Sequence, residues 1–107
     1  MAPHPLIDTF RAARIVPVVR TSTAAHAATA AQWLRDAGIT IFEITLTIPD
    51  ALSVIRELAA EPGLLVGAGT VPDAARAEAC IQAGARFLVS PWVDPSSPRP
   101  PARPAPA

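Results

Sequence analysis

Apolar residues in this chain gather in short dense runs, separated by stretches in which they recur every three or four positions. Residues 15–19, 39–46, 64–68 and 87–90 are the dense runs, and each reads as a buried strand. The segments between them read as helices. Residues 24–37 form an Ala-rich helix, with Thr21, Ser22 and Thr23 as N-caps and Gly38 as its stop. Trp33 and Leu34 are the anchors expected on its apolar face. Pro49 and Asp50 open the next helix, which sets Leu52, Ile55 and Leu58 on one side, and Pro62-Gly63 closes it. Thr70-Val71-Pro72-Asp73 resembles a capping box with an acid at its fourth position, and the helix it opens runs to about Ala83, with Gly84 as its stop. Ahead of the first strand, Leu6, Ile7 and Phe10 suit a short amphipathic lead-in helix ending before Arg14.

The repeating unit is strand, helix, strand, at roughly 20 to 26 residues. Near-continuous apolar strands joined by helices predict an α/β fold with a parallel sheet: four strands and three complete right-handed crossovers. The pattern dissolves after Pro91. Residues 94–107 hold six prolines in fourteen positions. Such a segment is neither helix nor strand and is expected to be a disordered, polyproline-like tail. The organisation read from the sequence is therefore a (β/α) unit over 1–93 and a Pro-rich tail over 94–107.

Composition narrows the function classes. A chain of 107 residues, 50% of them hydrophobic, is one domain able to bury a core. Its net charge is zero and its basic residues are not clustered, so no nucleic-acid footprint is indicated. No apolar stretch reaches the length of about 18 residues that a membrane helix needs, and residues 1–14 do not form a secretory signal. These features point to a cytoplasmic protein with no membrane partner. Cys80, the single cysteine, lies on a helix and is expected to be buried and inert. All nine basic residues are Arg, and the chain contains neither Lys nor Tyr.

Four features sit at strand ends or in strand cores: Arg20, Glu43, Gly67-Ala68-Gly69-Thr70 and Ser90-Pro91. In parallel α/β proteins the carboxyl ends of the strands face the ligand crevice, so all four segments converge on one rim. The paired glycines are not a dinucleotide fingerprint, because Pro72 occupies the place of the third glycine. They mark a tight strand-to-helix turn. His4 and His26 are isolated from other ligand-type residues, and no metal site is expected. Glu43 is the most informative residue. It lies in the apolar strand between Phe42 and Ile44 and points to the face opposite both. Either it pairs with Arg20 or Arg14, or burial raises its pKa for proton transfer.

Residues 15–20 (Ile-Val-Pro-Val-Val-Arg), 42–47 (Phe-Glu-Ile-Thr-Leu-Thr), 66–71 (Val-Gly-Ala-Gly-Thr-Val) and 87–91 (Phe-Leu-Val-Ser-Pro) occur in this order and at this spacing. Together they resemble the N-terminal half of the 2-keto-3-deoxy-6-phosphogluconate and 4-hydroxy-2-oxoglutarate aldolases, over about residues 5 to 93. The resemblance implies about half of a TIM-type (β/α)8 barrel. It also implies class I chemistry, in which a lysine forms a Schiff base with a pyruvate-type keto acid and no cofactor or metal is needed. Members of the family are usually homotrimers. By the same resemblance Glu43 is the general acid/base, Arg20 a basic position near the substrate carboxylate, and Thr70 and Pro91 pocket-lining positions. Many members have Arg where this chain has Thr47. The family's Schiff-base lysine lies on the sixth strand, and nothing in this chain takes its place.

Three readings stay open on the residues alone. The chain is an aldolase-family polypeptide that is catalytically incomplete; or it is a small α/β ligand-binding or interaction module completed by another chain; or it is a non-functional truncated product. An open half-barrel is expected to self-associate through its unpaired edges.

Overall fold

The computed structural model describes residues 5–93, so the Pro-rich segment expected over 94–107 lies outside the described residues. The chain opens with helix α1 (Leu6–Ala13), which ends where Arg14 turns left-handed (φ 67°) and donates its N–H to the Phe10 carbonyl at 2.9 Å. Strand β1 (Val18–Val19), helix α2 (Ala24–Asp36), strand β2 (Ile41–Thr45), helix α3 (Ala51–Ala59), strand β3 (Leu65–Gly69) and helix α4 (Ala74–Ala83) follow. The strands form one parallel sheet in the order β1-β2-β3.

Two strands are shorter than the apolar runs suggest. Of residues 15–19 only Val18 and Val19 pair, because β1 has a single neighbour and Pro17 has no N–H to donate. The Pro17 carbonyl still accepts from the Glu43 N–H at 3.0 Å. The expected fourth strand is reduced to one bridge between Ala68 and Leu88. Four backbone hydrogen bonds of 2.8–3.1 Å nonetheless lay residues 86–89 along the edge of β3 and the start of the next turn. With no further neighbour on its outer side among the described residues, this segment completes no regular ladder.

The pleat divides β2 and β3 between two environments. Phe42, Ile44, Val66 and Ala68 face the helices and join Ala27, Ala31, Val54, Ile55, Ala77 and Cys80 in one core. Small residues do much of this work: Ala27 and Ala31, one turn apart and fully buried, let α2 approach closely. Trp33, expected to anchor that helix, is instead 70% exposed. It lies to the side, lining a groove of about 360 Å3 with Val18, Ala30 and Leu34 at the open edge of β1. Leu34 does pack against the core. The start of α4 also differs from the expected capping box. Asp73 itself is the N-cap, accepting from the Arg76 N–H at 2.8 Å, while Thr70 stays outside the helix.

The opposite sheet face carries Ile41, Glu43, Thr45 and the glycines of β3. At Gly67 the ring of Phe87 lies where a Cβ would project, and Phe10 meets that ring edge-on at 5.2 Å between centroids. The missing side chain at Gly67 therefore lets α1 and residues 86–89 close over this end of the face. We expect Gly67→Ala to expel the Phe87 ring and to destabilise the fold by about 1–3 kcal/mol in urea unfolding. In a Phe87→Ala background the same change should cost much less, and additive losses would show that the two positions do not meet.

Candidate active site

Strand register builds the site. Val18, Glu43 and Gly67 are side-by-side partners across the three strands, and Thr45 pairs with Gly69 one pleat further on. Arg20 follows β1 directly, and Thr70 follows β3. These are the carboxyl ends of the strands, where the sequence placed the rim.

Glu43 is 8% exposed and projects from the face away from the helices. Space for its carboxyl comes from Gly69: a Cβ there would land on Glu43 Oε1. The paired glycines thus have separate tasks, one admitting Phe87 and the other admitting the carboxyl. Burial raises the Glu43 pKa above its ordinary 4.5, and the positive charge of Arg20 partly offsets that rise. No ion pair within 4 Å joins Glu43 to Arg20 or Arg14 among the described residues. The ion-pair alternative for this carboxylate is not realised.

Arg20 turns instead to hydroxyls. Its Nη2 donates to Thr70 Oγ1 at 3.2 Å and its Nη1 to Thr47 Oγ1 at 3.4 Å. Thr47 Oγ1 lies 2.8 Å from Thr45 Oγ1, and Thr45 Oγ1 donates to the Val19 carbonyl at 3.3 Å. Thr70 holds a left-handed backbone (φ 56°), which is rare for a β-branched residue and adds strain. That turn sets its hydroxyl within reach of the guanidinium. Arg20, Glu43 and Thr70 are therefore brought together. Pro91 is not joined to them by any of these hydrogen bonds. It is exposed, and its neighbour Trp92 ties the segment back by donating Nε1–H to the Pro72 carbonyl at 3.1 Å.

Thr45 has no role in the sequence beyond its place in the 42–47 motif, because it looks like one more β-branched strand residue. It is fully buried, so its hydroxyl must find a partner, and that requirement was the available signal. Cys80 is fully buried too, and burial pushes its thiol to about 11, which keeps it unreactive. Among the described residues no group of three or more His, Cys, Asp or Glu side chains is placed to hold a metal. No helix there is long and apolar enough to cross a membrane.

Comparison with known proteins now bears on this geometry. The family model described as KDPG and KHG aldolase matches residues 6–97. The chain belongs to this family. The 2-dehydro-3-deoxy-phosphogluconate aldolase of Pseudomonas aeruginosa is 44% identical over 87 residues, spanning 79% of this chain and 40% of that protein. The KHG/KDPG aldolase of Escherichia coli K12 is 37% identical over 78 residues, spanning 72% of this chain and 37% of the enzyme. Among solved structures, the 2-keto-3-deoxy-6-phosphogluconate aldolase of Zymomonas mobilis ZM4 with 3-phosphoglycerate superposes with a TM-score of 0.76 at 34% identity. That match covers 87% of this chain and 44% of the other. The KDPG aldolase of Legionella pneumophila, with pyruvate captured as a covalent carbinolamine, gives 0.68 at 33% identity, over 76% of this chain and 40% of the other.

The chain thus spans about two fifths of the length of the relatives it matches. Its fold is of the TIM-barrel type, and the three parallel strands with the Leu88 bridge are part of such a barrel.

The raised pKa of Glu43 has a direct consequence for stability. Well below pH 4.5 the carboxyl is protonated in both the folded and the unfolded chain. Above that value the unfolded chain releases the proton while the folded chain retains it, so stability falls as pH rises toward the folded pKa. Glu43→Gln should therefore be more stable than the parent at pH 7, with the advantage vanishing well below pH 4.5. Urea denaturation at several pH values checks this, and a stabilising effect of ionised Glu43 at pH 7 would contradict the environment described.

Proposed function

We propose that this chain contributes the proton-transfer and carboxylate-binding part of a class I aldolase site. The reaction is cleavage of 2-keto-3-deoxy-6-phosphogluconate or 4-hydroxy-2-oxoglutarate to pyruvate and an aldehyde. The observation that carries the reading is the Glu43 carboxyl, buried beside Arg20 in space that Gly69 leaves open. A carboxyl whose pKa burial raises is a stronger base when ionised than a free one, as a group that takes and returns a proton needs to be. The Legionella relative, captured with pyruvate as a carbinolamine, supports covalent chemistry at the keto carbon in this family.

In this reading an amine adds to the C2 carbonyl of the keto acid, and loss of water from the carbinolamine leaves an iminium. Glu43 then accepts the C4 hydroxyl proton as the C3–C4 bond breaks. The aldehyde departs, and the bonding electrons are held as an enamine. Protonation at C3 and hydrolysis release pyruvate and regenerate the amine. Arg20 and Thr70 hold the substrate carboxylate, and Pro91 lines the pocket. No metal or cofactor takes part. The amine has to be supplied from outside these 107 residues, because they contain no lysine. The chain by itself therefore binds a keto acid but does not turn it over, and it works in the cytoplasm.

Pyruvate titration followed by NMR tests this. Signals of Arg20, Glu43 and Thr70 should shift, and Arg20→Leu should weaken binding roughly tenfold or more. Borohydride added with pyruvate should trap no adduct beyond slow labelling of the N-terminus. A stoichiometric reduced adduct, or retro-aldol turnover lost in Glu43→Gln, would show that the chain needs no outside amine.

A second reading has its own observation. Ile15 is 62% exposed, Val18 52% and Trp33 70%, all near β1, an edge of the sheet. This is the surface of a module completed by another chain, and homotrimers are usual in the family the chain resembles. We expect concentration-dependent association in light scattering, reduced by Trp33→Glu without loss of helix content. A monomer at all concentrations would argue against an interaction role for this edge.

A further inference from the structure

We propose that Thr45 is a positioning residue whose buried hydroxyl sets the direction of the hydrogen bonds that hold Arg20. The proposal rests on the aldolase reading only for the ligand that Arg20 would take. Three contacts define the chain of groups: Thr45 to the Val19 carbonyl, Thr45 to Thr47, and Arg20 to Thr47. Each hydroxyl has one proton to give. The Val19 carbonyl can only accept, so it receives the Thr45 proton. Thr45 then faces Thr47 with lone pairs, and the proton of the 2.8 Å bond belongs to Thr47. Thr47 in turn is left with lone pairs toward Arg20 Nη1. This assignment makes every contact a hydrogen bond. If Thr45 donated to Thr47 instead, two oxygens would face each other 3.3 Å apart with no proton between them.

The direction matters because a guanidinium only donates. With its proton spent on Thr45, the Thr47 hydroxyl cannot rotate to present an O–H to Arg20. Together with Thr70 Oγ1 it forms a pair of acceptors, one on each Nη. These bonds are made on the rim, where Arg20 and Thr47 are exposed and water competes for the guanidinium. The buried end of the relay, at fully enclosed Thr45, is the part that water does not reach. An otherwise mobile arginine is thereby held across the ends of β1, β2 and β3, near enough to Glu43 to act on its ionisation. The guanidinium N–H groups not used by Thr47 and Thr70 remain for a carboxylate.

The test compares Thr45→Val, which keeps the shape and removes the hydroxyl, with Thr45→Ser, which keeps the hydroxyl. Rotation about the Arg20 Cζ–Nη bonds is read by 15N NMR on the 107-residue chain without ligand. The signal is assigned by its absence in Arg20→Leu. Thr45→Val should speed this rotation roughly fivefold and weaken pyruvate binding by a similar factor, while Thr45→Ser stays near the parent. Wild-type rotation in a folded Thr45→Val protein overturns the proposal, as does a Thr45→Ser protein as loose as Thr45→Val. Should Thr45→Val not fold, the parent chain decides through its slowly exchanging Thr45 hydroxyl proton. A proton directed at Val19 supports the relay, and one directed at Thr47 overturns it. If pyruvate fails to bind the parent chain while rotation follows the expected pattern, the keto-acid reading falls and the relay stands.

Discussion

The placement of one carboxyl group governs this structure. Glu43 stands in the middle of the central strand, and alternation of the pleat turns it away from Phe42 and Ile44, which pack under the helices. A carboxyl on the helix side would sit in an apolar core with no partner, at a cost of several kcal/mol. On the opposite face it still needs room and tolerable electrostatics. Gly69 supplies the room and Arg20 the charge. A side chain at Gly69, or a one-residue slip of β2 against β3, would remove the space or turn the carboxyl into the core.

Arg20 does not neutralise Glu43 by pairing with it. A close ion pair would hold the carboxylate ionised and draw its pKa down. Hydrogen bonds to Thr47 and Thr70 keep the guanidinium beside the carboxyl but out of contact, so burial remains the larger influence. The left-handed turn at Thr70 belongs to the same arrangement. A strained β-branched residue at the end of β3 persists because its hydroxyl has a cation to meet.

Membership of the KDPG and KHG aldolases and the share of those enzymes that this chain spans fit one physical picture. The sheet presents a polar rim and a prepared carboxyl, yet among the described residues its β1 edge is open and flanked by exposed apolar side chains. Parallel strands are stable when both faces and both edges are covered. Here Phe87 and Phe10 cover one end of the inner face, and the rim stays accessible.

The order of elements, the parallel α/β class and the placement of Arg20, Glu43 and Thr70 near one another at the strand ends, though not of Pro91, were legible from the sequence, because apolar spacing, caps and strand-end motifs are local signals. Thr23 caps its helix and Gly84 stops another as the pattern indicates. Even the direction of Glu43 followed from alternation within its own strand. What lay beyond the sequence depended on distant neighbours. Residues 87–90 have the composition of a strand, but a ladder needs partners on the sheet, and among the described residues the segment has β3 on one side only, through the Leu88 bridge and the backbone hydrogen bonds around it. Trp33 has the size of an anchor, yet the close approach set by Ala27 and Ala31 leaves it beside the interface instead of within it. The choice of Thr47 and Thr70 over Glu43 as partners of Arg20, and the recruitment of Thr45, depended on strand register, which brings residues up to 50 positions apart within hydrogen-bonding distance. Local pattern decided which elements form, and tertiary packing decided which side chains meet, because burial and hydrogen-bond partners are properties of the assembled sheet.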